Sequence, residues 1–109
     1  MISEAEVERA LDYMRNHSSD YAKAKAERIY LEQYRKTKKA VLVQQARGTV
    51  QERESFAYGH PDYIELLEGL KVAVENEEKF RWMIESARVK VEVWRTQQAN
   101  SRRIDRAHQ

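Results

Sequence analysis

The sequence contains no cysteine, a single proline and only three glycines in 109 residues. Without cysteine there is no disulfide framework, no thiolate zinc site and no cysteine nucleophile. So little Gly and Pro cannot supply the many tight turns of a sandwich or barrel. Gly48, Gly59 and Gly69 are spaced too widely for a phosphate-cradling loop. No stretch approaches the roughly 20 apolar residues that span a membrane. Met1-Ile2-Ser3-Glu4 lacks the basic and apolar regions of a signal peptide, so the expected location is the cytoplasm. An excess of either charge is also lacking: the net charge is +2, which by itself names no partner.

Charge of both signs is abundant. Asp, Glu, Lys and Arg make up 35% of the chain and good helix formers dominate the rest, a composition of long helices or coiled coil. The length suits one domain, and its 41% hydrophobic content suits a seam of contacts better than a thick core. Small proteins of this kind commonly complete their burial by oligomerising.

Helix punctuation divides the chain. Ser3 followed by Glu6 is a capping box, in which each side chain satisfies a free backbone N–H of the helix start. Val7, Ala10, Leu11 and Met14 follow at helical spacing. Residues 16–20, Asn-His-Ser-Ser-Asp, have poor helix propensity and predict either a break or a bend. From Tyr21 the pattern is helical to about Arg47, and Ala22, Ala26, Ile29, Tyr30, Gln33, Thr37, Ala40, Val41 and Val43 or Gln44 are expected to form its packing face. Gly48 stands where a helix C′ glycine belongs, and 48–60 reads as a turn with a short helical segment. Pro61 with Asp62 beside it opens the last helix, expected to reach about residue 105.

That last helix carries a countable seam. Alternating steps of three and four give Tyr63, Leu66, Leu70, Ala73, Glu77, Phe80, Ile84, Ala87, Val91 and Trp94, with Glu77 the single polar member. A charge in a seam costs stability unless paired, and such residues can fix register. The two arms, about 3–47 and 61–105, are equal in length. Residues 1–20 are net acidic, 21–47 net basic, 48–87 net acidic and 88–109 net basic. Folding back sets opposite charges alongside one another, which favours the antiparallel pairing. The expected fold is all-α, a long antiparallel helical hairpin of coiled-coil type, with a separate short N-terminal helix if residues 16–20 form a break, dimerising into a helical bundle.

Candidate chemistry is sparse. His17, His60 and His108 are far apart and form no metal motif, and each reads as a surface or capping residue. Glu75, Glu77, Glu78 and Glu85 lack the Glu-x-x-His pattern of a di-metal bundle. No catalytic residue, metal, cofactor or small-molecule substrate is expected. The basic stretch Arg35-Lys36-Thr37-Lys38-Lys39 is a candidate phosphate-binding surface, with Tyr30 and Tyr34 placed to stack on bases. Its competing reading is internal neutralisation by the acidic start of the last helix. Arg95, Arg102 and Arg103 belong to a second basic region. Trp82, Val89 and Val93 lie off the seam and form a second apolar strip, as a helix with two neighbours requires.

Three segments carry a resemblance. These are Val91-Glu92-Val93-Trp94-Arg95-Thr96-Gln97-Gln98-Ala99-Asn100 within Ile84–Ile104, Tyr21-Ala22-Lys23-Ala24-Lys25-Ala26-Glu27, and His60-Pro61 followed by Tyr63 and Leu66-Leu67-Glu68-Gly69-Leu70. Together they make the chain resemble small uncharacterised all-helical proteins of tailed bacteriophages, often encoded near phage recombination or replication genes. The resemblance implies a phage origin and a role in DNA metabolism, and transfers no catalytic residue. The expected function is that of a non-enzymatic accessory protein, a homo-oligomer binding DNA or a DNA-processing protein through Lys36, Lys38, Lys39, Arg95, Arg102 and Arg103. The alternative is a purely protein-directed scaffold or an inhibitor of a host enzyme, working through Trp82, Val89 and Val93.

Overall fold

In the computed structural model, which describes residues 1–108, three helices take up nearly all of the chain: α1 (Glu4–Gln45), α2 (Val50–Gly59) and α3 (Pro61–Ala107). No strand occurs among the described residues. The fold is all-α, and α1 and α3 pair antiparallel.

The chain forms two compact units, one of Met1–Tyr21 with the residues from Lys79 onward, the other of Ala22–Glu78. In the first, Val7, Ala10, Ala87 and Val91 are buried together, with Ile2, Tyr13, Met14 and Trp94 packed against them. The Ile2 N–H donates to Gln97 Oε1 at 3.0 Å, and the His17 ring lies 6.3 Å from that of Phe80. Successive positions on α1 thus meet receding positions on α3, as antiparallel pairing demands. In the second unit Leu42, Ala57 and Tyr63 form the core with Val43 beside them, and Lys38 Nζ stands 3.6 Å from Asp62.

All ten seam positions counted on α3 are buried or half-buried, Trp94 among them. The indole Nε1 of Trp94 is buried with no hydrogen-bond partner among the described residues. From Tyr21 onward the packing face differs from the expected one: Ala22, Ala26, Ile29, Tyr30, Gln33, Thr37, Ala40, Val41 and Gln44 are exposed, and only Val43, the alternative to Gln44, is half-buried, beside Leu42. The residues that pack are Val7, Ala10, Met14, His17, Tyr21, Ala24, Arg28, Leu31, Arg35, Lys38 and Leu42, all buried or half-buried. They too step alternately by three and four, so this is an unbroken heptad seam. Four of its members are cationic or imidazole side chains, which is why hydrophobicity pointed to the opposite face. Small residues recur on both sides: Ala10, Ala24, Ala73 and Ala87 are each buried.

Residues 16–20 lie within α1 without interruption. His17 occupies a seam position, its ring 4.3 Å from Tyr13 and its Nδ1 3.1 Å from Asp20 Oδ2. Packing against Phe80 supplies what local propensity lacks, since most helix stability in proteins comes from the buried face.

The helix ends follow the punctuation. Ser3 Oγ accepts the Glu6 N–H at 3.1 Å, the one half of the expected capping box that forms, and Thr49 Oγ1 caps α2 by accepting the Glu52 N–H at 3.1 Å. Arg53 Nε donates to the Val43 carbonyl at 3.1 Å, satisfying an acceptor at the end of α1. His60 Nδ1 accepts the Asp62 N–H at 3.0 Å and so caps α3. Among the described residues Gly48 alone has a positive φ, +112°. There Gly48→Ala is expected to cost about 1–2 kcal/mol, because the left-handed conformation penalises a Cβ. Gly69, within α3 and open to solvent, has nothing within 4 Å of where a Cβ would sit. Gly69→Ala is expected to stabilise by about 0.5–1 kcal/mol through helix propensity alone. Thermal unfolding of the two variants should therefore move in opposite directions.

Candidate nucleic-acid interface

In the second unit the seam brings three cations inward from α1, and they meet different fates. Arg28 faces Glu77, which is 6% exposed. Its Nε donates to Glu77 Oε2 at 2.6 Å and its NH2 group to Oε1 at 2.9 Å, a two-pronged pairing. Its remaining nitrogen reaches Glu32, four residues along the same helix, at 3.1 Å. The hydrogen bond to Glu77 above all, with Glu32 adding to it, pushes the Arg28 guanidinium well above its ordinary value, against the opposing effect of desolvation. Lys38 is paired with Asp62. Arg35, one heptad beyond Arg28, has no hydrogen bond or ion pair with any described residue.

Arg35 instead opens into a hollow of about 340 Å³ that it lines with Lys36, Lys39, Tyr58 and Tyr63. Lys39 Nζ lies 4.4 Å from the centre of the Tyr58 ring, a cation–π contact. Hydrogen bonding to Tyr58 leads the influences that raise the Lys39 ammonium above its usual value, with Glu54 and Tyr63 contributing from farther away. Tyr58 meets Tyr63 edge-on, ring centres 5.5 Å apart. Three positive charges and two aromatic rings therefore share one concavity in which no carboxylate forms an ion pair.

The basic stretch does not act as a block. Lys36 and Lys39 face this hollow with Arg35. Lys38 lines a separate one of about 350 Å³ with Tyr34, Asp62, Glu65, Leu66 and Gly69, where the carboxylates balance it. Internal neutralisation by the start of α3 is thus realised at Lys38 and not at Arg35 or Lys36. Tyr30 and Tyr34 stack on each other, 5.9 Å apart and 7° from parallel, and neither lines the hollow of Arg35. The aromatic side chains that accompany the free cations are Tyr58 and Tyr63. In the sequence the first falls in a connecting segment and the second reads only as seam. Steps of three and four along α1 from Val7 put Arg35 in the seam, and that count would have singled it out.

In the first unit Arg95, Arg102 and Arg103 are exposed. Arg102 and Arg103 line a shallow hollow with Ala99 and Arg106, while Arg95 stands apart from it. Trp82, Val89 and Val93 are all exposed on α3, 58% in the case of Trp82, and with Ser86 they make a charge-free line along its outer side. The Arg81 guanidinium lies 5.0 Å from the Trp82 ring. Next to this line, Arg88 is bonded to both Glu85 and Glu92. The Arg88 hydrogen bond is the main reason the Glu85 carboxyl sits below its ordinary range.

Among the described residues no three His, Asp or Glu side chains gather as a metal site, and no helix is long and apolar enough to cross a membrane. The chain matches no protein-family model, no curated protein and no solved structure.

Proposed function

We propose that this chain is a non-enzymatic accessory protein that self-associates as a helical hairpin and binds nucleic acid, DNA in the setting its phage resemblance implies. The supporting observation is Arg35. A half-buried guanidinium at a seam position that lacks a carboxylate partner keeps its donors available, and an anion supplied from outside can pair with them. Lys36 and Lys39 beside it, and Arg102 and Arg103 on the exposed end of α3, add phosphate-directed charge. The test is binding of short DNA at low salt, followed through a salt titration. Reversing charge at Lys36 and Lys39, or at Arg102 and Arg103, should weaken binding and lower the salt slope by roughly one for each phosphate no longer neutralised. Absence of affinity for single- and double-stranded DNA alike at low salt rejects the proposal.

A second reading has its own observation. The line of Trp82, Ser86, Val89 and Val93 exposes an aromatic anchor in a chain that is otherwise heavily charged. Buried aromatics dominate interface energetics, so this line suits a protein partner or a second copy, and with it a scaffold or a host-enzyme inhibitor. Trp82→Lys should then lower the mass in solution or abolish capture of the partner, with weak dependence on salt.

A further inference from the structure

We infer that the hollow of Arg35, Lys36, Lys39, Tyr58 and Tyr63 is a site for an unpaired nucleotide of single-stranded nucleic acid, its phosphate among the three cations and its base against Tyr58. This rests on the nucleic-acid reading above and specifies which nucleic acid is taken.

Arg35 is half-buried at a seam position, so its fork of donors is reached from within the hollow rather than across a flat surface. At about 340 Å³ the hollow lies at the lower end of the size of small-ligand sites, roughly 300 Å³ and upward. A duplex offers its phosphates on a convex ridge with the bases stacked inside, where no side chain of a recess meets their faces. A single strand can turn one phosphate into a recess and lay the attached base on an aromatic ring. Only the second geometry uses every group present.

The chemistry agrees. Arg35 can grip two phosphate oxygens with parallel N–H donors, while Lys36 and Lys39 act as mobile point charges. Tyr58 is about half exposed, so one side of it is available without disturbing the buried core of Leu42 and Ala57. Lys39 rests on the Tyr58 ring. Drawn toward a phosphate, its ammonium leaves ring surface for the base, so phosphate and base binding support each other. Base–aromatic stacking tolerates every base, so little sequence preference is expected.

The experiment uses the full chain and fluorescence anisotropy with short labelled oligo-dT, oligo-U and a mixed-sequence duplex of equal length, at low salt. The single strands are expected to bind roughly tenfold more tightly than the duplex. Arg35→Gln and Tyr58→Ala should each weaken single-strand binding by roughly tenfold and leave duplex binding nearly unchanged. Tyr58→Phe should retain it. Lys36 is exposed and makes no contact that holds the fold, so Lys36→Gln tests the site even if another variant loses helicity; it should weaken single-strand binding severalfold. Equal affinity for duplex and single strand, or variants of the hollow that bind single strands as well as the parent, overturns the site and leaves nucleic-acid binding standing. Failure of every oligonucleotide to bind overturns both.

Discussion

Glu77→Ala is expected to lower the thermal unfolding midpoint by on the order of 10 °C. Glu77 is buried in the seam and holds two of the nitrogens of Arg28. Removing it leaves a cation facing the apolar seam of α3, with Glu32 on its own helix as the remaining carboxylate. The loss therefore reflects the stranded charge and overstates what the pair contributes. A double substitution makes the distinction: Arg28→Leu with Glu77→Leu removes both charges and should recover most of the midpoint or exceed it. Circular dichroism on the two single variants and the double variant measures the cycle. If Glu77→Ala moves the midpoint by less than about 2 °C, the buried pair is not a determinant of this fold.

Leu42→Ala is the second large effect, expected to cost about 2–5 kcal/mol in urea unfolding. Leu42 is 1% exposed and is the one large side chain among the described residues that is fully enclosed. It is held by Ala57 of α2 and Tyr63 of α3, so it joins all three helices where the chain reverses. Neighbours tied to three elements cannot collapse into the space left by the missing atoms, which places the cost above that of an outward leucine. Leu11→Ala, at a position 41% exposed, should cost under about 1 kcal/mol and serves as the control. Tyr63 also walls the hollow of Arg35, so Leu42→Ala should weaken single-strand binding as well. A cost near that of Leu11→Ala would show that this reversal is not held by its apolar cluster.

How much of this was legible in the residues differs between the helices. The seam of α3 could be counted because apolar side chains hold every place except that of Glu77, whose partner, Arg28, the sequence did not identify. On α1 the inward places at 17, 28, 35 and 38 are His, Arg, Arg and Lys, while the outward ones include Ala22, Ala26, Ile29 and Tyr30. At the start of that helix the spacing of Val7, Ala10 and Met14 reports the packed side, but from Tyr21 onward hydrophobic periodicity reports the outer side, and burial is decided by what α3 offers across the gap. The same reversal explains residues 16–20, whose weak helix formers are held by the contact of His17 with Tyr13 and Phe80. Of the candidate binding residues, Lys36 and Lys39 stand out by composition alone. Arg35 was visible as a basic residue, but its significance lies in lacking the partner that Arg28 has. Tyr58 could not be associated with them until α2 was in place.

The alanines at 10, 24, 73 and 87 carry a consequence for the protein in its cell. Side chains that small let two backbones approach closely but withdraw little apolar area from water, so each heptad contributes modestly to folding. A chain built this way gains proportionately more from any second copy that covers Trp82 or Ile29. Under the self-association proposed above, its melting temperature should climb with protein concentration, as mass action requires. The folded fraction would then follow how much of the chain is present.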